Sequence, residues 1–201
     1  FNSGYMKEEV TQEDVDRIKA FYEKEGFIDA KVTYQEEEYR KGMISVIFNV
    51  AEGKRYYVDK IEIQGNTVFP KADILAKLTK IRSDAVFSRQ LLEEDLANVQ
   101  TLYMDKGYIF VQVKESTAIN NETGKVAVRL DIVEGEVAYI NKIKIQGNDR
   151  TRDVVIRREL RLYPGDRFDG EKMRRTKERL NNLGYFEDIS YDAAETDRPN
   201  Y

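Results

Sequence analysis

Residues 60–66 read Lys-Ile-Glu-Ile-Gln-Gly-Asn, and residues 142–148 repeat them almost unchanged as Lys-Ile-Lys-Ile-Gln-Gly-Asn, with Gly65 and Gly147 82 positions apart. In both, isoleucines alternate with polar residues, as in a half-buried strand, and Gly-Asn ends the run. Two further landmarks recur in the same phase. A Gly-aromatic pair closes a helical stretch in YEKEGFIDAKV (22–32), YMDKGYIFVQV (103–113) and NNLGYFEDISY (181–191). A strand ending in Glu-Gly appears as NVAEG (49–53) and DIVEG (131–135). Three families of landmarks in register define a repeat of about 80 residues.

The repeat has a readable internal order. Pro70 marks a helix start, with Ile74, Leu75 and Leu78 assigned to one face. A longer helix follows, with Leu92, Leu96, Val99 and Tyr103 at i, i+4, i+7 and i+11; Val15, Ile18 and Tyr22 are their counterparts in the first copy. Gly107 suits a helix C-cap of positive φ. Beyond it Ile109, Val111 and Val113 alternate, then Val126, Val128, Leu130 and Ile132 after the turn NNETGK (120–125). The first copy matches with Ile28, Ala30, Val32 and Tyr34, then Ile44, Val46, Phe48 and Val50. The fold class is therefore α+β, in tandem β-α-α-β-β modules, each a three-stranded mixed sheet covered by two helices. The modules are 1–54, 55–136 and 137–201. The first lacks an I-x-I-x-G-N strand, and the third stops before a counterpart of 126–132. Phe87 precedes Gly107 by 20 residues and Phe168 precedes Gly184 by 16, so the third copy's long helix is shorter by about one turn.

Composition narrows the function. The 201 residues contain no His, Cys or Trp. That excludes disulfides, thiol catalysis, His-dependent triads and zinc sites built on those ligands. No run of 18 apolar residues exists that could span a bilayer as a helix. The chain opens Phe1-Asn2-Ser3-Gly4 without a Met, which suggests a piece of a longer protein. Net charge is −4 over residues 1–54, −2 over 55–136 and +2 over 137–201.

The I-x-I-x-G-N strand, the helix pair, Y-x-x-x-G-Y/F and the closing V-x-E-G resemble the POTRA (polypeptide-transport-associated) family over nearly the whole chain. GNDRTRDVVIRRELRLYPGDRFDGEKMRRTKERLNNLGYFEDI (147–189) is similar to the barrel-proximal module of the Gram-negative outer-membrane barrel-assembly family. The resemblance implies the periplasmic part of an outer-membrane protein, with membrane proximity through a C-terminal β-barrel absent from these residues. It implies unfolded outer-membrane proteins and accessory lipoproteins as partners, and admits periplasmic chaperones; it implies no cofactor. Two-partner secretion and autotransporter-assembly transporters carry similar arrays and are the alternative.

In POTRA modules the strand after the second helix is expected at a sheet edge, where unpaired N–H and C=O groups can receive an extended segment. This assigns client binding to Tyr108, Ile109, Phe110, Val111, Gln112, Val113 and Lys114 in the middle copy, and to Ile28, Ala30 and Val32 in the first. Lys114 and Glu115 also fit charges that discourage edge pairing. Glu52, Gly53, Glu134 and Gly135 mark inter-module hinges, with Tyr56, Tyr57 and Tyr139 packing at the junctions. Arg150, Arg152, Arg157, Arg158, Arg161, Arg174 and Arg175 form a candidate charged docking surface for a partner or lipid phosphates. With Arg179 they also raise a nucleic-acid reading, which the small excess of +2 disfavours. Glu36-Glu37-Glu38 and Glu93-Glu94-Asp95 are the acidic runs on which an enzyme or hard-metal reading would rest; neither has calcium-loop spacing, and Tyr163-Pro164-Gly165-Asp166 is turn chemistry. Catalysis is not expected.

Overall fold

A computed structural model describes residues 8–40 and 43–191. Residues 1–7 and 192–201, on which part of the expectation of incomplete terminal copies falls, lie outside the described residues. The elements run α1 (Glu8–Lys24), β1 (Lys31–Arg40), β2 (Met43–Ala51), β3 (Tyr57–Gln64), α2 (Lys71–Lys77), α3 (Arg89–Met104), β4 (Gln112–Asn120), β5 (Lys125–Val133), α4 (Asp153–Arg157) and α5 (Gly170–Asn182). Two compact units form. One takes the chain up to Ile63 with Leu78–Leu96 and Glu115–Leu130; the other takes Gln64–Lys77, Ala97–Lys114 and the chain from Asp131. Each joins part of the middle repeat to one neighbouring repeat.

The three-stranded sheet has the order β3-β5-β4. β4 and β5 are connected by the tight turn 121–124 and so run antiparallel. β3 is parallel to β5. Its Tyr57 N–H bonds the Gly124 carbonyl where both strands begin, and Gly65, just past its end, lies against the Ile132 carbonyl. A Cβ on Gly65 would stand 2.1 Å from that oxygen, and its φ is +80°, so glycine is required there. The sheet is mixed, as the repeat implied.

In the first unit, Val126, Val128 and Leu130 of β5 are buried with Leu92 and Leu96 of α3, Val58, Ile81 and Phe87. The strand's polar alternates face outward, so a period of two and a helical period meet across one core. In the second unit Ile74, Val99, Tyr103, Ile132, Ala138, Ile156, Leu162, Phe168 and Leu180 are buried. Leu75 is 38% exposed, a correction to its assignment beside Ile74 and Leu78. α2 is only seven residues long, and Ile74 is its one buried residue.

The terminal copies depart from the middle one. β1 and β2 form a two-stranded antiparallel sheet, Val32 opposite Val50 and Glu38 opposite Ile44. β2 does not alternate cleanly; Ile44 and Val50 are exposed. In the third copy 142–146 keeps the alternation, with Ile143 and Ile145 half-buried, but is not a strand. β3 is held by β5, whereas no strand pairs with 142–146 among the described residues. α5 spans 13 residues against 16 for α3, the shortening the landmark spacing implied.

Candidate functional site

The candidate site is the edge of β4 opposite β5, and its position is set by how α3 ends. Gly107 adopts φ +88°, and the Gly107 and Tyr108 N–H groups bond the Met104 and Tyr103 carbonyls, closing the helix. The chain then turns once more, with the Val111 N–H on the Tyr108 carbonyl at 3.4 Å, before β4 starts at Gln112. Tyr108, Ile109, Phe110 and Val111 are therefore turn residues rather than strand residues, a correction to the sequence assignment. The first copy behaves alike: Gly26 has φ +94°, Ala30 N–H bonds the Phe27 carbonyl, and β1 starts at Lys31. Ile28 and Ala30 move into the turn, where Ala30 is 3% exposed and unavailable to a partner. In both copies a helix ending in left-handed glycine needs a second turn to lay the chain onto the sheet.

Gln112, Val113, Lys114 and Val32 do lie on strands. β4 pairs with β5 on one side, and no strand pairs with its other edge among the described residues. The opposite edge, β3, is partly covered: Val58 N–H bonds the Ala85 carbonyl and its own carbonyl accepts the Asp84 N–H, both at 2.8 Å. Among the described residues β4 carries no such backbone cover. Val113 and Thr117 are half-buried, while Ile119 and the remaining side chains are exposed. On β1, Glu36, Glu37 and Glu38 are all exposed along the strand. Three like charges oppose addition of a strand there more than Lys114 and Glu115 do on β4.

Glu134, in the second Glu-Gly landmark, is held on four sides. Its carboxylate accepts the Thr67 and Val68 N–H groups at 2.8 and 2.9 Å, the Thr67 hydroxyl, and the Tyr103 hydroxyl at 2.8 Å. Burial opposes its charge, but these donors outweigh burial and hold the carboxyl below its ordinary range. Burial and the Glu134 carboxylate together push the Tyr103 phenol well above its usual value. Tyr22 and Glu52 repeat the pair, the hydrogen bond to Glu52 raising Tyr22. The Tyr of Y-x-x-x-G thus meets the Glu of V-x-E-G, beside Gly53 and Gly135 at φ +76° and +70°.

The junctions themselves repeat bond for bond. Tyr56 N–H donates to the Gly26 carbonyl, and the Tyr56 carbonyl accepts the Phe87 N–H; Ala138 does the same with Gly107 and Phe168, all four at 2.8–2.9 Å. Val58 with Ala85 and Asp84 is matched by Ile140 with Asp166 and Gly165. Tyr56 is 1% exposed, its hydroxyl 2.6 Å from Asp29. Sequence reading marked Tyr56 as packing but had no means of locating its partners, which are 27 or more positions away.

The arginines do not form one unpaired surface. Arg157 pairs with Asp153, Arg158 and Arg179 with Glu159, and Arg175 with Glu171. Arg174 Nη2 donates to both carboxylate oxygens of Asp105, at 2.8 and 2.9 Å, tying the third copy to the second. Arg150, Arg152 and Arg161 make no ion pair among the described residues. Asp95 was missed as a structural residue. It is fully buried and accepts the Thr79, Lys80 and Ile81 N–H groups at 3.1, 2.8 and 2.8 Å. Thr176 takes its place in the third copy, accepting the Arg161 N–H. Asp95 therefore organises a loop. No group of three or more potential metal ligands occurs among the described residues, nor any helix long and apolar enough to cross a membrane.

These features agree with the comparisons to known proteins. The family model "POTRA: Surface antigen variable number repeat" matches residues 2–53, 56–135 and 138–200. The chain is 31% identical over 200 residues to the outer membrane protein assembly factor BamA of Nitratidesulfovibrio vulgaris, covering 98% of this chain and 25% of that protein. It is 32% identical over 194 residues to BamA of Neisseria meningitidis serogroup B, covering 95% and 24%. The chain thus spans about a quarter of the length of the curated relatives it matches. The crystal structure of Haemophilus influenzae BamA POTRA3-5 superposes with a TM-score of 0.73 at 20% identity, covering 94% of this chain and 75% of that one. BamA of Haemophilus ducreyi lacking POTRA domains 1–3 gives 0.59 at 23% identity, over 72% and 27%. With the repeated helix-to-strand turns, the Tyr–Glu pairs and three matches to one family model, the chain belongs to the POTRA family.

Proposed function

We propose that this chain is the periplasmic POTRA region of an outer-membrane protein assembly factor, and that β4 receives extended segments of unfolded outer-membrane proteins by strand addition. The observation that carries the reading is the uncovered edge of β4, in a chain whose relatives are named as assembly factors. Backbone pairing along Gln112–Asn120 ignores most side-chain identity, which suits varied clients. Four or five added hydrogen bonds give roughly 2–7 kcal/mol. Ordering the client costs about 1–2 kcal/mol per residue, so the site binds weakly and releases readily. Accessory lipoproteins are assigned to the third copy, where Arg150, Arg152 and Arg161 make no ion pair among the described residues. The roles are binding and positioning rather than catalysis, and no cofactor is involved.

The test is an NMR titration of the labelled chain with a peptide copying the last strand of an outer-membrane barrel. Shifts concentrated on amides 112–120, with weak affinity, are expected. Shifts confined to 150–179, or none, would sink the strand-addition reading.

A further inference from the structure

We propose that charged side chains around the two junctions select which copy docks on which, and disfavour a second copy of the middle module at either place. The backbone alone cannot choose. Gly26 and Gly107 present the same carbonyl, and the bonds of Tyr56 with Phe87 are matched by those of Ala138 with Phe168. Selection therefore falls to side chains that differ between the copies.

The difference is concentrated just ahead of the glycine that closes each helix. The first copy reads Lys24-Glu25-Gly26 and the second Asp105-Lys106-Gly107, with the sign exchanged at both positions. The surfaces that dock there change in step. Arg55 donates from Nε to the Glu25 carbonyl at 2.8 Å and from Nη2 to the Glu25 carboxylate at 3.2 Å. Val137 takes the place of Arg55 in the second junction: a Cβ on Gly26 would stand 3.2 Å from Arg55 Cγ, and one on Gly107 3.2 Å from Val137 Cγ1. At the other position Arg174 Nη2 holds Asp105 at 2.8 and 2.9 Å. Its counterpart is Glu93, the fifth residue of α3 as Arg174 is of α5, with the sign that suits Lys24. Each junction thus has one bonded pair, at a different one of the two positions.

Crossed pairings lose these bonds and gain repulsion. The end of the middle module against the start of another middle module would set Asp105 against Glu93 and Lys106 against Arg55, two like-charge contacts. The end of the first module against the start of the third would set Lys24 against Arg174 and leave Glu25 beside uncharged Val137. Discrimination then comes from the penalty on the wrong neighbour as well as from the gain with the right one. Repeats with interchangeable backbone bonds need such a device, because misdocking between modules is a characteristic failure of repeat proteins as they fold.

The experiment exchanges the signs within the 201-residue chain and follows hydrogen exchange at the Ala138 amide, which bonds the Gly107 carbonyl across the second junction. The Tyr56 amide, which makes the same bond at the first junction, is the internal control for folding. Arg174→Ala removes the bonded pair; Arg174→Glu also sets a like charge against Asp105. At low salt Ala138 should exchange roughly threefold to tenfold faster in Arg174→Glu than in Arg174→Ala, with Tyr56 unchanged. The gap should close in about 1 M salt. Adding Asp105→Lys and Lys106→Glu to Arg174→Glu gives the second junction the signs of the first, and should slow Ala138 to the rate in Arg174→Ala or below it. Equal exchange in Arg174→Ala and Arg174→Glu at low salt would overturn the proposal, as would a triple variant no slower than Arg174→Glu.

Discussion

At the scale of single residues, the two most informative side chains are carboxylates whose partners are distant in sequence. Glu134 belongs to a motif visible in the sequence, but its donors at Thr67, Val68 and Tyr103 lie 31 to 67 positions away. Asp95 stood in an acidic run and was legible only as a charge, because burial and three converging N–H groups are products of the fold. Glu134 also has a predictable pH signature. Its carboxyl is held below the ordinary value in the folded state. Its contribution is therefore complete above the unfolded pKa of about 4.3 and disappears as pH falls through the lower folded value. Glu134→Gln should destabilise the chain by roughly 1–3 kcal/mol at neutral pH. In urea unfolding the gap between the two proteins should hold down to about pH 5 and close below it. A gap that persists unchanged at about pH 3 would show that the ionised carboxylate is not the stabilising form.

At the scale of elements, the apolar spacing of α3 was legible because all four marked residues are core. β5 was legible for the same reason, its alternation buried on one face only. The start of β4 was not. Ile109, Val111 and Val113 alternate as strand residues do, yet the first two lie in a turn. Periodicity is blind to a turn that happens to keep phase, and only the Val111–Tyr108 bond reveals it. The parallel pairing of β3 and β5 was likewise unreadable, although the glycine that permits it was in the opening motif. Gly65→Ala should cost more than about 1 kcal/mol, since it combines positive φ with a clash against backbone. Hydrogen exchange should show the loss at the β3–β5 pairing first. Uniform protection across β3, β4 and β5 in that variant would contradict the close approach at Ile132.

At the scale of the whole molecule, sequence repeats and compact units do not share boundaries. The repeat runs from strand to strand, but Tyr56 is buried against Gly26 and Asp29 of the copy before it. Residues 55–136 expressed alone should therefore be less stable than within the chain. Exposing Tyr56 alone accounts for about 1.5–3 kcal/mol of burial. The comparison is the urea midpoint of the excised repeat against that reported by β5 amides in the full chain; equal midpoints would mean the junction adds nothing. The repeated junction has one more consequence. Since Gly26 and Gly107 offer the same acceptor, and Phe87 and Phe168 the same donor, residues 56–137 are a cassette with matching fittings at both ends. Duplicating that stretch in the gene would insert a module whose coupling bonds already exist on either side. Growth or shrinkage of such an array by whole modules would then keep the backbone bonds of each junction and change only its side-chain contacts.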